Sequence, residues 1–408
     1  MEQNRAARTR IRWLGYVFIL ASLGVMVLLA GCKSEGETTG TLACTPDVDY
    51  TSFVVIDTRQ ERCYDRDGNE ITCPDSGATY YGQDAQYQRY VPSYSRLCGS
   101  DIVLDNHTHL MWQKAHNNTR VNAATATAAC DNLFLGGFSD WRLPSIKELY
   151  SLADFRGKTG SIYFLDTDYF DLQPYDFDSG DLTGTHSAEM MGQTWSSTPR
   201  PDDSTLRYFF NFLNGHLKSG PYEGADIEAK SFYRCVRGNN VFQNGFSDNG
   251  DTITDSATGL VWQKSNGEEA TDDYRFAWRE ALSYCENLEL DGETDWRLPD
   301  IKELQSIVDY TNENYALNRD LFIFNGYDPS EPTSAPYFWS STTHKDEGYG
   351  TYICFGHCWD ATLETDLHGP GAQRADPKYD NGSLPVSIGD QEDYVQAENY
   401  VRCVRTNN

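Results

Sequence analysis

The chain has 408 residues, of which 61 are acidic and 33 are lysine or arginine, so its formal net charge is −28. A surface of this charge repels nucleic acid, heparin-like polysaccharides and anionic lipid headgroups, and it argues against these partner classes. The 11 cysteines indicate an oxidising compartment and a chain tied by disulfides.

The N-terminus resembles the signal peptide of a bacterial lipoprotein. Arginines between residues 5 and 12 precede an apolar run over 13–30, which fits a signal-peptide core and is borderline for a membrane helix. The sequence Leu-Ala-Gly-Cys at 29–32 is similar to a lipobox, which implies a signal peptide over 1–31 and a lipid anchor on Cys32. An uncleaved anchor is the alternative. Lys33 favours transport to the outer membrane, and either interpretation places the rest of the chain outside the cytoplasm.

A polar tether over 32–43 is expected to lead into a Cys- and Tyr-rich segment over 44–98. Its four cysteines are Cys44, Cys63, Cys73 and Cys98. A turn-rich stretch separates the middle two, which predicts a hairpin closed by a Cys63–Cys73 disulfide. In that stretch Asp65 and Asp67 are weak candidates for calcium ligands, and an ordinary Asx turn is the alternative. The segment is too short for a core of its own and is expected to pack on the first of two repeats.

The rest of the chain contains the same sequence landmarks twice, about 150 residues apart. They predict two tandem copies of one globular domain, over 99–238 and 239–408. The paired landmarks are Leu-Met-Trp-Gln at 110–113 and Leu-Val-Trp-Gln at 260–263, Asp-Trp-Arg-Leu-Pro at 140–144 and 295–299, Trp-Ser-Ser-Thr at 195–198 and 339–342, and Arg-Cys-Val-Arg at 234–237 and 402–405.

Each copy is expected to contain two helices, short strands and long loops. Apolar residues at three- and four-residue steps over 274–288 predict an amphipathic helix, with a counterpart around 123–130. Gly136-Gly137 and Gly292 are expected to stop these helices. After Trp-Arg-Leu-Pro, a cap residue and a glutamate three positions later predict the start of a second helix in both copies. The stretches 156–193 and 310–336 are typical of long recognition loops.

The positions of the cysteines predict one disulfide in each copy. Cys130 and Cys235 occupy places that match those of Cys285 and Cys403, so the simplest pairing is Cys130–Cys235 and Cys285–Cys403. Each bridge would join an early helix to the last strand of its copy. Zinc binding by these cysteines is the rival interpretation, but no CxxC…CxxC spacing is present.

The repeated tryptophans and arginines are interpreted as packing residues, and sugar stacking by the tryptophans is the alternative. The arginines would bond nearby carbonyls or carboxylates. No histidine is repeated in register to activate the paired serines as nucleophiles, so no catalytic residue is assigned. The motif residues are Trp112, Trp141, Arg142, Trp195, Trp262, Trp296, Arg297 and Trp339.

One cysteine pair occurs in only one copy. Cys354 and Cys358 form a close pair, interpreted as a local hairpin disulfide with Gly356 at the tip of its turn; a redox-active or copper-binding pair is the alternative. Asp248 and Asp251 are further weak calcium candidates, for which an Asx turn is again the alternative. No other cofactor is expected.

The landmarks together resemble the Lcl C-terminal domain family over most of 99–408. The resemblance implies an α+β fold of two tandem domains similar to C-type lectins and formylglycine-generating enzymes. Each domain would have two helices, a small twisted antiparallel sheet and long loops. The helix-to-last-strand bridge is also the lectin-like arrangement. Family activity looks like adhesion, with glycosaminoglycan binding in the namesake. The acidity of this chain argues against that ligand here.

The sequence therefore predicts a lipid-anchored cell-envelope protein that is not an enzyme and whose loops bind a glycan or another envelope protein. Duplication would permit bivalent binding. A formylglycine-generating-enzyme-like or thiol redox enzyme using Cys354 and Cys358 is one alternative. A structural envelope component without a soluble ligand is the other.

Overall fold

The computed structural model describes residues 53–97, 99, 101–158, 162–172, 192–224, 229–239, 242–268, 274–331, 335–344, 348–384 and 394–407. Cys32, Cys44 and Cys98 lie outside the described residues, as do the expected signal peptide and tether. Among the described residues, no helix combines the length and the apolar character that a membrane span requires.

In the described ranges, short strands, four short α-helices and a 3-10 helix (Asp84–Gln86) make up the regular structure, which confirms the α+β class. The helices are α1 (Ala123–Asp131), α2 (Ile146–Ser151), α3 (Trp278–Glu286) and α4 (Ile301–Ser306). The strands are β1 (Cys63–Tyr64), β2 (Glu70–Ile71), β3 (Tyr94–Leu97), β4 (Ile102–Asp105), β5 (Met111–Gln113), β6 (Gln193–Pro199), β7 (Leu206–Asn211), β8 (His216–Pro221), β9 (Val236–Arg237), β10 (Phe246–Asp248), β11 (Thr252–Asp255), β12 (Leu260–Gln263), β13 (Arg275–Ala277), β14 (Tyr337–His344), β15 (Tyr349–Cys354), β16 (Gln373–Pro377), β17 (Glu398–Tyr400) and β18 (Val404–Thr406).

Each copy contains a four-stranded antiparallel sheet whose last strand returns from the end of the copy. The strand orders are β3-β4-β5-β9 and β10-β11-β12-β18. In both sheets the repeated tryptophan lies opposite a valine of that last strand, Trp112 opposite Val236 and Trp262 opposite Val404. The sheet of the first copy therefore begins at Tyr94, before residue 99.

The glycines expected to stop α1 and α3 do not do so, and that prediction was wrong. The helices end at the C-cap residues Asn132 and Asn287, whose side-chain amides each donate to a carbonyl of the last turn at 2.7 Å. Gly136-Gly137 and Asp291-Gly292 instead form two-residue turns with positive φ between bridged residues. This is the turn chemistry that a tight hairpin requires.

The predicted caps of the second helices are confirmed. Ser145 and Asp300 accept the amide of the glutamate three residues later, and that glutamate accepts the amide of the cap residue. Both helices have only six residues. Because so short a helix is marginal in isolation, tertiary packing must stabilise it. Ile146, Leu149, Ile301 and Leu304 belong to one buried cluster that spans both copies.

The two copies join through equivalent surfaces, as the subunits of a two-fold dimer do. One eight-stranded sheet has the order β13-β17-β14-β15-β16-β8-β7-β6, in which β16 and its counterpart β8 pair antiparallel. The contact between α2 and α4 is reciprocal as well. Lys147 Nζ donates to Ser306 O at 2.7 Å, and Lys302 Nζ donates to Ser151 O at 3.0 Å. Burial lowers the pKa of both lysines to about 8.

The N-terminal segment packs on the first copy, as expected, where Phe155 N donates to Thr58 O at 2.9 Å, and on the second copy as well. Gln60 exchanges two hydrogen bonds with the backbone of Thr343, at 2.8 and 2.9 Å. The hairpin β1-β2, closed by Cys63–Cys73, also contacts the second copy, because Lys378 Nζ donates to Asp65 O at 3.2 Å. The segment is too short for a core of its own, and surfaces of both copies cover it.

Candidate functional site

A cleft of about 420 Å³ lies where the N-terminal segment meets the long loop that follows α2. Residues 60–64 form one wall, and residues 154–156 and 162–168 form the other. Two backbone bonds fix the loop: Asp154 N donates to Phe164 O at 3.1 Å, and Phe164 N donates to Phe212 O at 2.8 Å. Through Phe212, which directly follows β7, the loop is attached to the sheet.

An arginine beside the cleft is held between two carboxylates. Arg59 Nη1 lies 2.5 Å from Asp166 Oδ2 and 3.3 Å from Asp154 Oδ2. The Arg59 backbone has φ +65°, a left-handed conformation that is uncommon for residues other than glycine and costs of order 1–3 kcal/mol. The bond from Arg59 N to Asp57 Oδ1 at 2.6 Å stabilises this turn. The chain therefore accepts local strain to place this guanidinium.

The cleft offers donors, acceptors and aromatic surface together. Arg156 forms an ion pair with Asp154 at 2.7 Å and keeps a partly exposed guanidinium, while Asp168 is exposed. Tyr163 is half-buried. Burial, reinforced by the Glu70 carboxylate, raises the pKa of Tyr64, so its hydroxyl stays protonated. A polar, largely uncharged ligand with several hydroxyls fits such a lining.

The repeated tryptophans lie in the cores, and none of the motif residues lines the cleft. The indole N–H groups of Trp141 and Trp296 donate to the carbonyls of Leu135 and Leu290, at 3.2 and 3.3 Å, so the two copies repeat the same bond. All six motif tryptophans are buried: Trp112, Trp141, Trp195, Trp262, Trp296 and Trp339. Burial at this level leaves no indole face for a sugar to stack on.

The two motif arginines also repeat one arrangement. Arg142 forms two bonds with Glu148, and Arg297 forms two with Glu303 at 2.6 Å each. Each glutamate is the same one that caps its helix, so the pair links the Trp-Arg-Leu-Pro turn to α2 or α4. These side chains build the fold and do not line the cleft.

The sequence model of the Lcl C-terminal domain matches residues 101–237 and 251–405. The chain belongs to the Lcl C-terminal domain family. No curated protein and no solved structure matches the chain. The two matched ranges correspond to the two copies, so each copy is one Lcl C-terminal domain.

Disulfides occur at the predicted pairs of both Lcl C-terminal domains. Cys130 is joined to Cys235 and Cys285 to Cys403, with Cα–Cα distances of 5.5 and 5.4 Å. Each bridge runs from the first helix of its domain to the residue just before its last strand. The frame of the two domains is thus the same.

Cys354 and Cys358 are joined to each other and buried. The disulfide is local, as expected, but the expected hairpin turn at Gly356 is not formed. The partner of β15 is β16, which begins only at Gln373. Residues 355–372 form a longer connection where the first domain has only 212–215. Gly356 contributes close packing in place of a turn tip, since a Cβ there would lie 2.3 Å from Tyr327 Oη.

The calcium candidates take part in turns and ion pairs. Asp65 Oδ1 accepts the amides of Asp67 and Asn69 at 2.9 Å, and Asp67 accepts the Tyr379 hydroxyl at 2.7 Å. Asp248 pairs with Lys264 at 2.7 Å, while Asp251 is exposed. Among the residues that the structure describes, no three His, Cys, Asp or Glu side chains come together as a metal site.

Sequence reasoning did not single out Arg59, Asp154, Arg156 or Asp166, because they come from an unrepeated segment and a variable loop. It also assigned no role to Lys147 and Lys302. A signal for these lysines was present: both copies place a lysine between the apolar Ile and Leu of a short helix. A charged residue kept in that setting indicates a specific buried acceptor.

Proposed function

We propose that the chain is a carbohydrate-binding protein of the bacterial cell envelope, anchored by lipid on Cys32 at the outer membrane and without enzymatic activity. The family suggests an envelope-associated protein. The cleft beside Arg59, lined by carboxylates, guanidinium groups and tyrosines, is the observation that carries the binding role. The two domains would be lectin-like frames, and the cleft would be the recognition site of the first.

A neutral glycan suits the cleft better than an anionic one. Asp166 and Asp168 accept hydrogen bonds from sugar hydroxyls, Arg62 and Arg156 donate to them, and Tyr163 supplies an aromatic face. The net charge of −28 disfavours sulfated or uronic polysaccharides. No cofactor is required for this binding.

The absence of catalysis is part of the proposal. The pair Cys354 and Cys358 is the one candidate for thiol chemistry that the sequence offered, and its joined, buried sulfurs support a structural role. Catalytic cysteines are normally low-pKa and accessible. Thiol titration of the native protein tests this point: rapid labelling without denaturant would contradict it.

A glycan array with soluble protein that begins at Thr41 tests the binding role. We expect retention of neutral glycans. The variant Tyr163→Ala should weaken binding about ten-fold, equivalent to about 1.4 kcal/mol, because the aromatic face is lost. Asp168→Asn removes a carboxylate from the cleft. The bond to Asp166 Oδ1 comes from the backbone amide of residue 168, so the substitution keeps it.

Asp320→Asn is the matched control. Asp320 occupies the equivalent loop position of the second domain, where its amide bonds Asn318 Oδ1 at 3.1 Å. This variant should leave glycan binding unchanged. Failure to retain any neutral glycan, or equal effects of Asp168→Asn and Asp320→Asn, would contradict the proposal.

A further inference from the structure

The two-fold relation between the domains creates two equivalent grooves, and the N-terminal segment fills one of them. Residues 57–60, called here the inserted segment, lie in the groove beside Lys302. Lys302 Nζ donates to Asp57 O at 3.1 Å, and Phe155 N donates to Thr58 O at 2.9 Å. The Arg59 side chain reaches Asp154 and Asp166. The inserted segment is thus bound by one lysine, one backbone amide and two carboxylates.

The equivalent groove beside Lys147 is open and has a volume of about 390 Å³. Its lining contains the counterpart of each binding group. Lys147 replaces Lys302, Tyr310 replaces Phe155, Asp309 replaces Asp154 and Asn318 replaces Asp166.

Hydrogen bonds in the two loops establish this correspondence. Asp154 N donates to Phe164 O at 3.1 Å, and Asp309 N donates to Ala316 O at 2.9 Å. In the same way, Asp166 and Asn318 each accept, with a side-chain oxygen, the amide of the residue two positions later at 3.1 Å. The walls that hold the inserted segment on one side of the molecule are therefore present on the other.

The chemistry of the open groove favours a peptide that carries an arginine. Asp309 is half-buried and forms no ion pair within 4.0 Å among the described residues. Where Lys302 donates to the carbonyl of Asp57, Lys147 has only the Asn244 side-chain oxygen, at 3.4 Å. This contact is long, and a peptide carbonyl at a shorter distance would replace it. Phe242, Ile307 and Val308 give the groove an apolar floor.

We propose that this groove binds an extended segment of a partner protein that carries an arginine. Lys147 would donate to one of its carbonyls, the Tyr310 amide to another, and Asp309 would pair with its guanidinium. This site is separate from the glycan cleft and independent of it. A second copy of this chain is disfavoured as the partner, because its own residues 57–60 are held by Gln60–Thr343 bonds and by the adjoining Cys63–Cys73 hairpin.

The test uses the full chain in detergent and a synthetic peptide with the sequence of residues 54–61, Val-Val-Ile-Asp-Thr-Arg-Gln-Glu, which contains the natural occupant of the other groove. Calorimetry should show saturable binding. Asp309→Asn should weaken it about ten-fold through loss of the guanidinium partner. The same peptide with alanine in place of its arginine should lose as much, and the two losses should not add.

Gln243→Trp provides a second variant, which should leave the fold intact because it replaces an exposed side chain. Gln243 is exposed on the groove wall, and a tryptophan there fills the space, so it should abolish binding. Asp251→Asn, an equal change of charge at an exposed turn, should have no effect. If the peptide does not bind, the proposal is wrong. If it binds but Asp309→Asn and Gln243→Trp leave the affinity unchanged, the peptide displaces the inserted segment instead, and the proposal is again wrong.

Discussion

The first and second Lcl C-terminal domains bury the same arginine–glutamate pair to different depths. The Arg142 side chain is 33% exposed, whereas the Arg297 side chain is 6% exposed. The cause is the N-terminal segment, whose Tyr87 ring lies 5.2 Å from the Arg297 guanidinium and whose Arg89 lies 3.8 Å from Glu303. Duplication thus gives the two domains the same frame. The N-terminal segment, which occurs once, buries the arginine–glutamate pair of the second domain more deeply.

The bridges test whether the two frames are energetically equal. Replacing Cys130 and Cys235 by alanine, or Cys285 and Cys403, should each lower the free energy of unfolding by about 4–5 kcal/mol, because the two loops are of similar, large length. Replacing Cys354 and Cys358, which close a short loop, should lower it by about 2 kcal/mol. Urea unfolding followed by tryptophan fluorescence measures all three. Unequal losses for the two long bridges would contradict equal frames.

The arginine pairs test the difference in burial. Arg297→Met leaves Glu303 buried without its main partner and should destabilise the protein by about 3–5 kcal/mol. Arg142→Met should cost less, because the Arg142 side chain is 33% exposed and its removal lets water reach Glu148, which is fully buried in the native structure. Thermal and urea unfolding of both variants provide the comparison. Equal losses would show that the N-terminal segment does not dehydrate the second pair.

The lysines test the occupied groove against the open one. Lys302→Met leaves two buried carbonyls, Asp57 O and Ser151 O, without this donor and should cost about 1–3 kcal/mol. Lys147→Met should cost less, since Lys147 lines the open groove and donates to one backbone carbonyl, Ser306 O, whereas Lys302 donates to two. Limited proteolysis gives an independent readout: only Lys302→Met should expose residues 53–64 to cleavage. Equal protection in both variants would contradict this role of Lys302.

The features that could be predicted from the sequence are those that are local or duplicated. The capping boxes at Ser145 and Asp300 are read from four neighbouring residues, and the two long bridges follow from matching cysteine positions. The contact between Gln60 and Thr343 spans 283 residues and has no second copy in the chain. The cleft depends on that contact, because it positions residues 60–64. A long-range contact that occurs once leaves no periodic pattern in the sequence. The frame could therefore be predicted from the sequence, whereas the cleft could not.

A buried carboxyl group of the N-terminal segment gives its contact with the second domain a pH dependence. Burial raises the pKa of Asp84 to about 7, although the bond from the Thr342 hydroxyl opposes this shift. Asp84 also accepts the Thr58 hydroxyl, at 2.8 and 2.9 Å. An unfolded aspartate titrates near 3.9, so the folded state holds an extra proton between about pH 4 and 7. The stability contributed by this proton is fully present below about pH 4 and is lost as the pH rises through 7.

Asp84→Asn should therefore flatten the fall in stability between pH 4 and 7, by less than about 1.4 kcal/mol per pH unit, the limit for one proton. The asparagine can keep both hydroxyl partners because a threonine hydroxyl donates or accepts. Urea midpoints measured at each pH provide the slope, and Asp251→Asn controls for a change of net charge. Burial also raises the pKa of the cap residue Asp300, whereas the first domain has the uncharged Ser145 at that position. If Asp84→Asn leaves the slope unchanged, the pH dependence originates from Asp300. The difference between the two domains in pH dependence then lies in the helix cap and not in the N-terminal segment.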